Sequence, residues 1–102
     1  MAASSRESAA AGPVIAVEME DHYARVHTAR GSALLLMRMR DAVAELDGAD
    51  GAQVHRSWWV ARDAVEAVQP DGRNVRLQLV GGLTAPVARG QVAVLREAGW
   101  PL

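Results

Sequence analysis

The sequence of 102 residues contains no cysteine, which excludes a disulfide framework, a thiolate metal site and a cysteine nucleophile. It also lacks any apolar run near the ~18 residues that a membrane-spanning helix needs. The longest such run, 33–37, has the length of a strand and ends at Arg38. The N-terminus lacks the basic and apolar regions of a secretory signal. A chain of this length can form one domain around one modest core.

Lysine is absent as well, so all eleven basic residues are arginines. The planar guanidinium suits phosphate and guanine, although a GC-rich genome also encodes arginine by default. The net charge of −1 does not identify a partner, because the charges are clustered along the chain. The chain can therefore carry a dipolar surface with one cationic side. The acidic cluster is Asp41, Glu45, Asp47 and Asp50, and the basic clusters are His22, Arg25, His27 and Arg30, then His55, Arg56 and Arg62.

Residues 1–13 consist mainly of Ala, Ser and Gly and show no periodicity, which predicts a disordered linker or an appended tail. The domain proper is predicted over residues 14–102. Within it, short apolar or alternating segments are separated by frequent turns. This pattern predicts a mainly β fold of about six short strands joined as antiparallel hairpins, over 14–19, 23–28, 32–36, 64–68, 75–79 and 83–87.

Two segments have helical spacing instead. Apolar residues recur at Met39, Val43 and Leu46, and again at Val92 and Leu95, which predicts two short helices over 38–46 and 89–98.

Residues 53–60 are interpreted as one apolar strand with three polar residues, 55–57, at its centre. Trp58 and Trp59 should then point to opposite faces, one in the core and the other at an interface or under a loop.

The residues capable of metal binding or catalysis do not form a recognisable site. His22 and His27 are five residues apart, His55 is remote, and no carboxylate completes a metal-ligand spacing. Ser57, His55 and Asp63 have the residue types of a hydrolase triad, but the serine is not flanked by the glycines of a nucleophile elbow. We therefore expect no enzyme activity, no metal, no cofactor and no small-molecule substrate. A β-barrel that binds a nucleotide messenger would need an Arg-rich motif before the first strand, and Arg6 alone does not supply one.

Three strings of the sequence stand in order and with compatible spacing over roughly 14–100. They are Ile15-x-x-Glu18-x-x-Asp21-His22-Tyr23-x-x-Val26-x-Thr28, then Val54-His55-Arg56-Ser57-Trp58-Trp59-Val60, and Leu83-x-x-Pro86-Val87-x-Arg89. Together they resemble motifs of the LytTR DNA-binding domain family. The first resembles the opening hairpin, the second the most telling string of the family, and the third the closing strand with the start of the last helix.

This resemblance implies an elongated arrangement of small antiparallel sheets with short helices. It implies sequence-specific binding of double-stranded DNA as the output domain of a bacterial transcription regulator, with loops entering successive major grooves. Such domains typically bind paired repeats as homodimers and follow a receiver or a membrane-embedded sensor. The implied location is the cytoplasm, with a tether to the inner membrane where a preceding region supplies one.

The resemblance also assigns DNA-binding roles to five residues. Arg89 matches the main base reader, His22 matches a loop residue that reaches the groove, and Arg56 matches a loop position that touches base or backbone. Arginine bidentate to guanine is the commonest specific contact, and a protonated histidine is the stronger donor. Tyr23 and Ser57 are expected to donate to phosphates, which position the protein without specifying sequence. His55 is interpreted as structural.

The sequence departs from the family pattern at three positions, where polar or basic residues are common. Ala61 stands in place of Asn, Ala88 in place of Ser, and Gly90 in place of a second basic residue. Because each phosphate contact adds to affinity, we expect weak non-specific binding. The rival hypothesis is a protein-interaction module, such as an antagonist of a related regulator, that keeps the fold with weak or no DNA binding.

Overall fold

The computed structural model describes residues 14–72 and 74–102, so the predicted linker over 1–13 lies outside the described residues. The described part contains eight strands in two antiparallel sheets, two α-helices and two 3-10 turns. The strands are β1 Val14–Glu20, β2 Tyr23–Thr28, β3 Gly31–Leu36, β4 Gly51–His55, β5 Trp58–Ala61, β6 Val65–Asp71, β7 Asn74–Leu79 and β8 Thr84–Val87. The helices are α1 Met39–Glu45 and α2 Arg89–Glu97, and the 3-10 turns are η1 Arg62–Ala64 and η2 Val80–Gly82.

The larger sheet has the strand order β3-β2-β1-β5-β4 and is antiparallel throughout. β1 lies at its centre and joins two hairpins, β2–β3 and β4–β5, that are remote in sequence. The side chains of β2 alternate between its two faces: Ala24 is fully buried and Val26 packs beside it, whereas Arg25 and His27 are half-buried on the other face.

The smaller sheet has the order β6-β7-β8. Its central strand β7 alternates as the sequence predicts, with Leu77 and Leu79 fully buried and Arg76 and Gln78 exposed. Together the two sheets and two short helices confirm the expected fold class, mainly β with antiparallel pairing.

The interpretation of residues 53–60 as one strand is wrong, because the chain reverses there. β4 ends at His55, Arg56 and Ser57 form a tight turn, and β5 returns antiparallel from Trp58. A hairpin satisfies the polar residues at its tip, where the backbone leaves the sheet, so no polar group needs to be accommodated inside an apolar strand.

The two tryptophans that begin β5 pack in separate cores, on opposite faces of the larger sheet. Trp58 belongs to the main core between the two sheets and α2, together with Leu77, Leu79 and Leu95. Trp59 belongs to a smaller core under α1. The prediction that they face opposite ways is confirmed. The expectation that one of them lies at an interface or under a loop is wrong, since they are only 8% and 3% exposed and Trp59 packs under a helix.

Both predicted helices are present and pack by the predicted residues. Met39 is buried in the smaller core with Val43 and Leu46 beside it, and Leu95 anchors α2 in the main core. The chain leaves α2 through Gly99, at φ 89°, where the amide of Trp100 donates to the carbonyl of Leu95. Among the described residues, no helix has the length and apolar character that crossing a membrane requires.

Gly51, the first residue of β4, has no room for a side chain. A Cβ there would meet the Trp59 ring and lie 2.6 Å from the Val60 carbonyl oxygen. We expect Gly51→Ala to lower the free energy of unfolding by about 1–3 kcal/mol, because the hairpin must shift to relieve the clash. Gly90→Ala is the control, since no atom lies within 4 Å of its Cβ position in α2, and it should stabilise by about 0.5–1 kcal/mol. Urea denaturation measures both, and a Gly51→Ala protein as stable as its parent would contradict the packing.

Candidate nucleic-acid interface

Two hairpin turns lie side by side where strands of the larger sheet end, along the border of the sheet that runs across the strands. β1 ends at Glu20 and turns through Asp21 and His22 into β2, with Asp21 at φ 57°. The amide of Met19 donates to the carbonyl of Ser57 at 2.9 Å, which places the β4–β5 turn next to the β1–β2 turn. Neighbouring strands lie about 4.8 Å apart, so the two turns are separated by about 10 Å along the edge.

The start of α2 lies at the same edge. The amide of Ala88 donates to the carbonyl of Val54 at 2.9 Å, and the Gln91 side chain donates to the carbonyl of Gln53 at 2.7 Å. These bonds hold the Ala88–Arg89 junction against the last residues of β4. We call this edge, formed by Asp21–His22, Arg56–Ser57 and Ala88–Arg89, the His22 edge. The opposite edge, where β4 begins, is the Gly51 edge.

The molecule is elongated. Its principal extents are 40 × 24 × 24 Å. A strand of six or seven residues spans about 20–23 Å, and five strands side by side span about 19 Å, so the larger sheet by itself accounts for only about half of the longest extent. The elongated shape agrees with the one that the family resemblance implies.

The basic side chains at this edge are exposed and have no internal partner. His22, Arg56 and Arg89 are all exposed, and within the described part of the chain none of these side chains makes a hydrogen bond or an ion pair. They can therefore donate to an anion or a base edge without first losing an intramolecular bond. Tyr23, the first residue of β2, is 46% exposed at the same edge.

Arg38 also lies at this edge, and the sequence analysis did not assign it a role. It follows the end of β3, is exposed, and lines a groove together with His22. Its place at the junction of a strand and a helix was predictable, but only the pairing of β2 with β3 shows that this junction faces the same way as His22.

The β4–β5 turn is fixed by a bond between its own side chains. The imidazole Nδ1 of His55 lies 3.0 Å from the Ser57 hydroxyl and accepts from the Ser57 amide at 3.2 Å. Because Nδ1 is the acceptor, His55 carries its ring proton on Nε2. His55 is half-buried, and its partner is in its own turn rather than in a neighbouring strand. The pair presents Arg56 at the tip of a turn with defined geometry.

Two other basic residues have partners on the sheet face rather than lying at the edge. Arg25 donates from Nε to Glu20 at 2.5 Å and from its terminal nitrogens to Glu20 and Ser32. His27 lies 3.4 Å from Glu18 and stacks on Trp58, with ring centroids 6.2 Å apart. The basic stretch 22–30 is therefore split by the strand, and only His22 belongs to the His22 edge.

The acidic residues are partly segregated from this edge. α1 starts at the His22 edge and runs away from it, so Asp47 and Asp50 lie near the Gly51 edge. The separation is incomplete, because Asp21 and Asp41 line the groove beside His22, and Arg30 lies at the far end of β3. The surface is thus weakly dipolar in the expected sense, with exposed basic side chains at the His22 edge and acidic side chains near the Gly51 edge.

Ala61, one of the three departures from the family pattern, was expected to remove a polar contact with DNA, but its position in the sheet does not support this. Ala61 pairs with Gly51 at the far end of β5 and packs against the main core. A polar side chain there would lie a strand length away from the His22 edge, so Ala61 removes no contact at that edge. Ala88 and Gly90, in contrast, lie beside Arg89.

Residues 10–100 match the family model described as the LytTr DNA-binding domain. Over 85 residues the chain is 34% identical to the CO-responsive transcriptional regulator RcoM of Rhodospirillum rubrum, and this match covers 81% of the chain. The chain spans only 36% of the length of that regulator. Among solved structures, a LytTr DNA-binding domain from Bacillus cereus has a similar fold, with a TM-score of 0.73 and 20% identity, covering 82% of this chain and 78% of that one.

The hydrogen bond from Arg25 holds the pKa of the Glu20 carboxyl below its ordinary value. The unfolded chain lacks this bond, so ionised Glu20 favours the folded state at neutral pH, and this contribution is lost as the pH falls through the lowered pKa. We expect Glu20→Gln to be slightly less stable than the parent near neutral pH and to match it in strong acid. Urea midpoints across this range measure the effect, with Glu97→Gln on α2 as control. A constant difference at every pH would contradict it.

Proposed function

This chain belongs to the LytTR DNA-binding domain family, and from that premise we propose that it binds double-stranded DNA sequence-specifically within a bacterial transcription regulator. The observation that carries the proposal is the His22 edge, where three turns from remote parts of the chain offer His22, Arg56 and Arg89 without internal partners. A phosphate backbone attracts arginines that are exposed and unpaired, such as Arg56 and Arg89.

The mode of binding we propose is insertion of turns into successive major grooves. The domain is 40 Å long, and one helical turn of B-DNA is about 34–36 Å long. A domain of this length can span the distance from one major groove to the next. The major groove, about 12 Å wide, admits a two-stranded hairpin as well as it admits a helix.

Within this mode the residues divide by chemistry. Arg89 is the base reader, donating two bonds to guanine, and His22 and Arg56 contact base edges or phosphates from their turns. Tyr23 donates to a phosphate from the start of β2. Ser57 is expected as a second phosphate donor, but its hydroxyl is bonded to His55 Nδ1. To donate to a phosphate, the hydroxyl would have to give up the bond that shapes the turn.

The domain would act as one part of a longer regulator. It spans 36% of the length of RcoM, whose name describes a CO-responsive transcriptional regulator. A longer regulator of this kind has room for a sensing or receiving region outside the part that this domain matches. We propose that two copies bind paired repeats as a homodimer. Doubling the number of base contacts offsets the few contacts that each copy can make.

A second candidate function, a protein-interaction module, is favoured by one observation. β3 is an edge strand whose residues are all exposed, including Leu34, Leu35 and Leu36, and it carries no charge. An uncharged apolar edge strand can pair with another chain. Retention on heparin and mobility shift with mixed genomic duplexes separate the two candidates, because the interaction module would show neither.

Arg89→Ala tests the proposed base reader. We expect selection from a random duplex pool to recover a repeated motif with the parent protein, and Arg89→Ala to lose about 1–3 kcal/mol of discrimination at one base pair of it. Arg96→Ala is the matched control, since it removes an exposed arginine from the other end of α2. In a fluorescence titration, equal affinity and equal base preference of Arg89→Ala and the parent would refute the assignment.

A further inference from the structure

We propose that the junction between β3 and α1, residues 36–38, is a fourth DNA-contacting segment, in which Arg38 binds a phosphate and Leu36 contacts a thymine methyl group. This inference rests on the proposed function and extends it to a part of the chain outside the three matched motifs. It assigns a specificity-determining role to an apolar side chain that the fold leaves exposed.

The register of the sheet places this junction at the His22 edge. β3 is antiparallel to β2, and Leu36, the last residue of β3, pairs with Tyr23, the first residue of β2. The junction and the β1–β2 turn are therefore at the same end of neighbouring strands. They face each other across an open groove of about 470 Å³, which is lined by His22 and Asp21 on one side and by residues 36–39 and Asp41 on the other.

Arg38 is equipped to bind an anion. It is exposed, and within the described residues its guanidinium makes no hydrogen bond or ion pair. Asp21 and Asp41 line the same groove and offset part of its charge, yet neither forms an ion pair with it. Arg38 also makes no side-chain capping bond to α1, so its guanidinium does not stabilise the helix through a hydrogen bond.

Leu36 is the large apolar side chain most exposed in the described chain, at 75%. Its pairing with Tyr23 puts it on the sheet face away from α1, so it contributes to neither core. In the major groove the thymine methyl group is the one apolar feature of the base edges, and apolar side chains recognise it. An exposed leucine at the edge that faces DNA fits this chemistry.

The position of the junction predicts where along the DNA it acts. β3 lies one and a half strand spacings from the middle of the β1–β2 turn, about 7 Å along the His22 edge. With a rise of about 3.4 Å per base pair, the junction contacts DNA about two base pairs outside the pairs that His22 reads. The thymine that Leu36 recognises is expected there, on the side away from Arg56.

Arg38→Ala and Arg30→Ala form a matched pair, because they remove exposed arginines from the two ends of β3. The probe is the duplex recovered by selection with the parent, titrated over a range of salt concentrations. We expect Arg38→Ala to weaken binding roughly eightfold near 0.1 M salt and to reduce the salt slope by about 0.9, the value of one phosphate contact. Arg30→Ala should leave both unchanged, because it lies at the Gly51 edge.

The contact with thymine is tested by replacing each thymine of that duplex with deoxyuridine, which removes only the methyl group. The parent should lose about three- to fivefold in affinity at a thymine outside the His22 pairs, the effect of one buried methyl group. Leu36→Ala should bind both duplexes equally at this position, and Leu34→Ala, from the middle of β3, should behave like the parent.

The outcomes separate this inference from the proposed function. If Arg89→Ala weakens binding while Arg38→Ala keeps the parent's salt slope, or if Leu36→Ala still distinguishes thymine from deoxyuridine, the fourth segment is wrong and the proposed function stands. If the parent binds no duplex and is not retained on heparin, the proposed function is wrong and this inference falls with it.

Discussion

The backbone pairing of β1 with β5 is the constraint on which the rest of the molecule depends. It pairs residues that are forty or more positions apart in sequence, such as Glu18 with Trp58, and the bond from the Met19 amide to the Ser57 carbonyl sets the β1–β2 and β4–β5 turns side by side. Trp58 and Trp59 lock this pairing from both faces, each filling a different core. A one-residue slip would exchange the two tryptophans between the cores, so the alignment of the His22 edge is fixed by packing.

Electrostatics alone would not identify a DNA-binding face in a chain with a net charge of −1. The His22 edge brings together several exposed basic side chains without a partner among the described residues, although Arg30, at the Gly51 edge, is unpaired as well. Arg25 and Arg62 are bound to Glu20 and to the carbonyl of Gly99, whereas Arg38, Arg56 and Arg89 have no partner among the described residues. An arginine that is already paired must exchange one partner for another, and so contributes less to binding an anion.

Two of the three segments that form this edge combine fixed backbone with exposed side chains. The His55–Ser57 bond shapes the turn that carries Arg56, and the bonds from Ala88 and Gln91 to β4 hold the start of α2 that carries Arg89. The side chains that could meet DNA are therefore presented from fixed backbone. This arrangement reduces the entropy that would be lost on ordering a mobile loop.

The fold class, both helices and most strands could be predicted from local patterns, because alternation and helical spacing are local properties of the chain. Local patterns could not show that residues 53–60 reverse direction, since a short apolar run with polar residues at its centre suits a strand or a hairpin equally. Only the folded chain shows which turns meet at the His22 edge, that Ala61 lies far from it, and that Arg38 lies at it. These facts follow from the register between distant strands, which depends on packing across the whole sheet rather than on any single segment.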